Sequence, residues 1–322
     1  MAILGSKQFT YEVSGDNWGK LPEGWFYKEA TSVDVDSKDN VYVFNRGNHP
    51  MIVFDSEGNV LRSWGQGIFT NPHAVTIGPD DTVWCVDNVD HSIRRFTPEG
   101  KLLFTLAEPN KPAPVMSGKP FNRPTRVAID PRNGEILVAD GYGNARVHRF
   151  SPDGKRLLAS WGESGTEPGQ FNIVHDIAID RSGWIYIGDR ENRRIQVFSP
   201  DGRFETQWVN LSRTAAVHVS RGDVQLVYVG EYFAVSPEVC KIAMRLGPRV
   251  SILDTRGRLL ARLGDYPFGD EPGRFYAPHA VATDSRGDIY VAEVSYSEFG
   301  KQKDSPKELR SMQKLIMNSS NE

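Results

Sequence analysis

One pattern recurs six times along this chain and narrows the possible folds to one class. It is an alternating apolar strand, an acidic or Gly-containing turn, then a second strand closing on a polar, usually acidic residue. The first copy runs Val33-Asp34-Val35-Asp36, turn Ser37-Lys38-Asp39-Asn40, strand Val41-Tyr42-Val43-Phe44-Asn45. The others begin at Val75, Val127, Ile177, Val217 and Val281, with second strands closing on Asp87, Asp140, Asp189, Glu231 and Glu293. Most copies continue into a third strand, a Gly turn and a fourth strand, as in Ile195-Gln196-Val197-Phe198 with Gly202. Period-two alternation with Asp-Gly and Glu-Gly turns is hairpin chemistry, so each unit reads as a four-stranded antiparallel meander. Units of roughly 40–50 residues built this way are propeller blades. A solenoid needs helices or one strand per repeat. The expected fold is therefore all-β, a six-bladed β-propeller.

A propeller ring leaves open sheet edges unless its ends are joined. In blade six, Ile289-Tyr290-Val291-Ala292 is the second strand and Leu309 to Ile316 the expected third. The fourth is expected from the N-terminus, Phe9-Thr10-Tyr11-Glu12-Val13. The expected organisation is one propeller domain over residues 1–300, its closing strand within 1–20, and a charged C-terminal tail, 301–322, carrying a strand at 309–316. Two segments break the rhythm. Residues 107–120 read as a surface loop, and residues 232–249 as an insertion over one mouth of the ring, with Ser236-Pro237-Glu238 capping a short helix through Leu246.

Composition removes several function classes. The 322 residues carry a net charge of −3, which gives no basic field for nucleic acid. No run of apolar residues is long enough to span a membrane. Cys85 and Cys240 are the only cysteines, too few for a disulfide scaffold, and no leader pattern opens the chain, so a cytoplasmic location is expected. The expected partner is a small-molecule substrate.

The chemistry emerges when the residue two before each starting Val or Ile is aligned. Blades one to six give Thr31, His73, Thr125, His175, Ala215 and His279. Histidines occupy every even blade and no odd one. First strands line the axis of a propeller, so alternate positions of a six-fold ring aim three imidazoles at a common centre. Three neutral imidazoles are the ligand set of an open catalytic Zn²⁺ site, and Fe²⁺ or Mn²⁺ also accept them. His49, His91, His148 and His218 fall elsewhere in the repeat and are read as surface or structural.

Second strands return to the same mouth, where the residues past the closing position include Arg46, Arg190 and, one further on, Tyr142. Arg offers a fork to carboxylates and oxyanions. A phenol beside a guanidinium and a metal cation gives up its proton more readily, so Tyr142 is the candidate base. The closing acids Asp87, Asp140, Asp189, Glu231 and Glu293 are expected to tie blade to blade rather than to catalyse.

The stretch from Pro168-Gly169-Gln170-Phe171 to Phe198-Ser199-Pro200-Asp201-Gly202 resembles NHL repeats. With Val138-Ala139-Asp140-Gly141-Tyr142-Gly143-Asn144-Ala145-Arg146 and Gly188-Asp189-Arg190-Glu191-Asn192-Arg193-Arg194-Ile195-Gln196, the chain resembles the peptidyl-α-hydroxyglycine α-amidating lyases over roughly residues 25–295. That resemblance implies zinc on His73, His175 and His279, Tyr142 as base, and Arg46 and Arg190 in the active site. The family's last zinc histidine is followed by an Asp used for a structural calcium. Here Ala280 stands in its place, and Ala277 replaces the family's Met two residues before that histidine.

The function this implies is a metal-dependent lyase that splits a carbinolamide-like or related α-hydroxylated small molecule. Two alternatives use the same chain differently: a zinc hydrolase of lactonase or amidase type on the same histidines, or a non-enzymatic NHL binding platform.

Overall fold

A computed structural model describes residues 2–15, 18–233, 246–264, 268–302 and 305–318. The repeats form six antiparallel sheets, the blades of a six-bladed β-propeller. Blade two, for example, is Pro72–Ile77, Val83–Asp87, Ser92–Phe96 and Leu102–Thr105, paired in sequence order. Its second strand is buried throughout, whereas Leu102 and Leu103 of its fourth are exposed. Strands covered on both faces read as near-continuous apolar runs, as Val83-Trp84-Cys85-Val86 does.

The turns keep the rhythm. Asp36 accepts bonds from the backbone N–H groups of Lys38 and Asn40, and Asp180 does the same for Ser182 and Trp184. The Tyr186 and Tyr290 hydroxyls then donate to Asp180 and Asp284, both at 3.0 Å, locking turn to strand.

The last sheet differs from expectation. Its third strand is Met312–Met317, a few residues beyond the expected start, because residues 295–302 form the short helices Ser295–Glu298 and Gly300–Gln302. Phe9–Val13 pairs with Met312–Met317 as its closing strand, and Ile3–Ser6 adds a fifth that alternation had not suggested. The expected helix at 236–246 falls almost wholly outside the described residues.

The chain forms two compact units, residues 1–64 with 218–322, and residues 65–217. In the second, Ala74 and Val86 of blade two pack with Val127, Ile136 and Val138 of blade three. Ala139 and Val147 pack in turn with Ile177 and Ile187 of blade four. In the first unit, Ala30, Val33 and Val43 pack with Ala280, Tyr290 and Ala292. Each such buried Val, Ile or Phe contributes about 1.5–3 kcal/mol relative to exposure.

The closing acids make their bonds within their own blade, most of them to backbone, whereas Glu231 accepts from the side chains of Arg249 and Ser251. Asp87 accepts from the N–H groups of Thr70 and Asn71, Asp189 from Asn172, and Glu293 from Tyr276 and Ala277. Each fixes the segment that leads into its blade's first strand, because an end-of-strand carboxylate lies beside that segment and not beside the next sheet.

Candidate active site

His73, His175 and His279 occupy the same structural position three times. In each blade the pairing of first and second strands slips at one residue: between Pro72 and Ala74, between Val174 and Asp176, and between Pro278 and Ala280. The residue skipped is the histidine. A bulge of this kind re-aims a side chain out of the pleat.

The ring orientation repeats as well. His73 Nδ1 donates to the Thr125 carbonyl at 2.7 Å, His175 Nδ1 to the Ala215 carbonyl at 2.6 Å, and His279 Nδ1 to the Thr31 carbonyl at 2.6 Å. A carbonyl oxygen only accepts, so Nδ1 carries the proton and Nε2 presents a lone pair. These carbonyls belong to the residues that the repeat aligns with the histidines in the odd blades. The even blades thus supply imidazoles and the odd blades the acceptors that orient them.

Within residues 65–217 the surroundings of two of these rings are dense. The His73 and His175 ring centroids are 5.2 Å apart. The Tyr142 hydroxyl lies 3.2 Å from His73 Nε2 and 3.0 Å from His175 Nε2. Arg190 Nη1 reaches the same hydroxyl at 3.4 Å, and the guanidiniums of Arg190 and Arg123 lie over the phenol ring at 5.6 and 5.1 Å from its centroid. Gly141 makes this placement possible, since a Cβ there would come within 1.8 Å of the Val174 carbonyl. Glu191 holds Arg190, accepting from its Nε at 2.8 Å and from Arg213 Nη2 at 2.7 Å. Those two guanidiniums outweigh burial and hold the Glu191 carboxyl below its ordinary range.

In the other unit, the Tyr232 and His279 ring centroids are 6.3 Å apart. Arg46 is engaged by Glu29, with Nη1 at 2.5 Å from Oε1, and Glu29 also accepts from the backbone N–H and hydroxyl of Ser297 at 2.7 and 2.6 Å. The Arg46 N–H donates to the Glu29 carbonyl, as that of Arg190 does to Ile173. Both bonds run to the residue two before the first-strand position that carries His175 in blade four and Thr31 in blade one.

The donor chemistry suits a cation. His73 Nε2, His175 Nε2 and the Tyr142 oxygen face one another, a nitrogen and oxygen donor set of the kind that suits a cation. His73 and His175 are buried donors within one unit, and His279 is a third buried histidine in the other. The four histidines set aside have other work. His148 is buried against Asp140 and Ser160, His49 stacks on Trp25, His91 accepts from the Arg123 N–H, and His218 bonds Thr283.

Comparisons with known proteins find relatives of this chain. The NHL repeat profile matches residues 121–150 and 171–198, which cover the first three strands of blades three and four. The chain carries NHL repeats. It is 31% identical to peptidyl-alpha-hydroxyglycine alpha-amidating lyase 1 of Drosophila melanogaster over 83% of its own length and 55% of that protein. It is 28% identical to NHL repeat-containing protein 3 of Mus musculus over 92% of its own length and 88% of that protein. It spans 35% or less of the peptidylglycine alpha-amidating monooxygenases of rat, mouse and Xenopus laevis that it also matches. Among solved structures, a streptogramin B lyase superposes with a TM-score of 0.57 at 10% identity, covering 98% of each chain. That likeness concerns the fold alone. Among the described residues, no helix is long and apolar enough to cross a membrane.

Proposed function

We propose that this NHL-repeat chain is a metal-dependent lyase that cleaves the C–N bond of an N-acyl carbinolamide of the α-hydroxyglycine type. His73, His175 and His279 would hold the ion through Nε2, and a Zn²⁺ there supplies Lewis-acid polarisation of a substrate oxygen. Tyr142, as phenolate, takes the proton of the substrate's hydroxyl. The C=O bond of the aldehyde forms as the C–N bond breaks, its electron pair goes to the amide nitrogen, and that nitrogen takes up a proton. Atoms balance with an amide and an aldehyde as products. Arg190 neutralises negative charge on the Tyr142 oxygen, and Glu191 keeps Arg190 aimed there. Arg46, fixed by Glu29 and Ser297, contributes a positive charge in its own unit.

The observation that carries this reading is the Tyr142 hydroxyl at 3.0 and 3.2 Å from two imidazole nitrogens whose other nitrogens are pinned to carbonyls. Relatives named as amidating lyases support the reaction type. The test is metal analysis of the purified protein together with turnover of N-benzoyl-α-hydroxyglycine. A lyase releases benzamide and glyoxylate, whereas an amidase releases benzoate. Tyr142→Phe is expected to retain the metal and lose at least about a hundredfold in rate. His175→Ala is expected to lose both metal and rate. Benzoate as product, or full turnover by Tyr142→Phe, overturns the assignment.

A further inference from the structure

The cation that sequence reasoning did not anticipate is Arg123. It sits in the short segment before Arg126–Ile129, is exposed, and carries its guanidinium 5.1 Å from the Tyr142 ring centroid. Arg190 is tied to Glu191, and Arg213 to the same carboxylate. Among the described residues, the Arg123 side chain makes no ion pair and no hydrogen bond. The Glu191 carboxylate thus engages Arg190 and Arg213 but not Arg123. Arg123 thus brings to the Tyr142 ring a positive charge that Glu191 does not pair.

The backbone shows that Arg123 is held there at a cost. Its φ is +58°, in the left-handed region that non-Gly residues avoid at a cost of about 1–2 kcal/mol. Anchors lie on both sides. The Asn122 N–H donates to Asp140 at 3.0 Å, and the Arg123 N–H donates to His91 Nδ1 at 2.9 Å. Burial holds the His91 imidazole below its ordinary range, which preserves the neutral form that this bond needs. A strained backbone, pinned twice, presents a free guanidinium over the candidate base.

We propose that Arg123 is a specificity residue that binds a carboxylate on the substrate, so that the site selects N-acyl α-hydroxy acids over their neutral esters and amides. This deepens the lyase reading and rests on it, because it assumes that substrate lies against Tyr142. A carboxylate presents two oxygens to the planar fork of Arg. Arg46 and Arg190 were expected to offer that grip, but Glu29 and Glu191 already occupy them.

The test is calorimetric binding, on the metal-loaded protein, of N-benzoylglycine and of its neutral counterpart N-benzoylglycinamide. The wild type is expected to bind the acid at least about tenfold more tightly than the amide. Arg123→Gln is expected to bring the two affinities within about threefold, and Arg123→Lys, which keeps the charge but not the fork, to fall between. Arg203→Gln, an exposed change at the Glu205 pair, is expected to leave the preference unchanged. If Arg123→Gln or Arg123→Lys keeps the full wild-type preference, or if the wild type shows none, the inference fails. Turnover of N-benzoyl-α-hydroxyglycine is scored separately. A wild type that prefers the acid through Arg123 yet turns nothing over would sink the lyase reading and leave the carboxylate subsite standing.

Discussion

Replacing Glu191 by Gln removes the negative charge that Arg190 and Arg213 share while keeping the side-chain shape. The native carboxylate accepts from Arg190 Nε at 2.8 Å and from Arg213 Nη2 and Nε at 2.7 and 3.1 Å, with its side chain 28% exposed. Buried hydrogen bonds to charged groups are worth about 1.5–3 kcal/mol each, but exposure screens these and the Gln carbonyl still accepts one of them. The expected loss at pH 7 is about 1–2 kcal/mol. The pH dependence follows from the carboxyl's shift. Burial alone would raise its pKa, yet the Arg213 and Arg190 guanidiniums together bring it below the ordinary value of 4.5. A depressed acid contributes stability above its unfolded pKa and loses it as pH falls through the folded one. Urea unfolding of wild type and Glu191→Gln, from pH 7 down to about pH 3.5, should show the gap narrowing steadily below about pH 4.5. A gap of constant size across that range, or a variant as stable as wild type at pH 7, refutes the reasoning.

Gly141→Ala should cost several kcal/mol and reduce turnover, since its Cβ would meet the Val174 carbonyl at 1.8 Å and shift the backbone on both sides of Tyr142. A thermal melt within 2 °C of wild type would contradict the contact. Deleting residues 2–13 should expose the edge of Met312–Met317 and give an aggregating or weakly stable chain, read by light scattering and calorimetry. A monomeric deletion variant with unchanged melting would show that the two N-terminal strands are dispensable.

Much of this architecture is legible in sequence because blades repeat local rules. Alternation, Asp-Gly turns and closing acids lie within a few residues of one another, so a hairpin announces itself. The three histidines are legible for the same reason, as one register position seen six times. What decides their chemistry is not local. The carbonyls of Thr125, Ala215 and Thr31 that orient the rings come from other blades, and any residue type supplies a carbonyl. Arg46 and Arg190 can be picked out by strand counting, but their neutralisation by Glu29 and Glu191 cannot, because acidic residues at strand ends are common. Arg123 escaped notice because it precedes its strand, outside the rim positions that counting examines. Its positive φ is imposed by the fold around it and not by its own residue type. The fifth strand Ile3–Ser6 was missed because it is too short and too exposed to alternate clearly.

The bond from His279 to the Thr31 carbonyl joins residues 248 apart. During synthesis, then, residue 31 must wait until residue 279 has been made before that imidazole acquires its fixed tautomer. A chain clipped between those points and separated would keep most of its sheets and still lack a fixed third imidazole. The orientation of that ring is thereby made contingent on two distant stretches of chain having met.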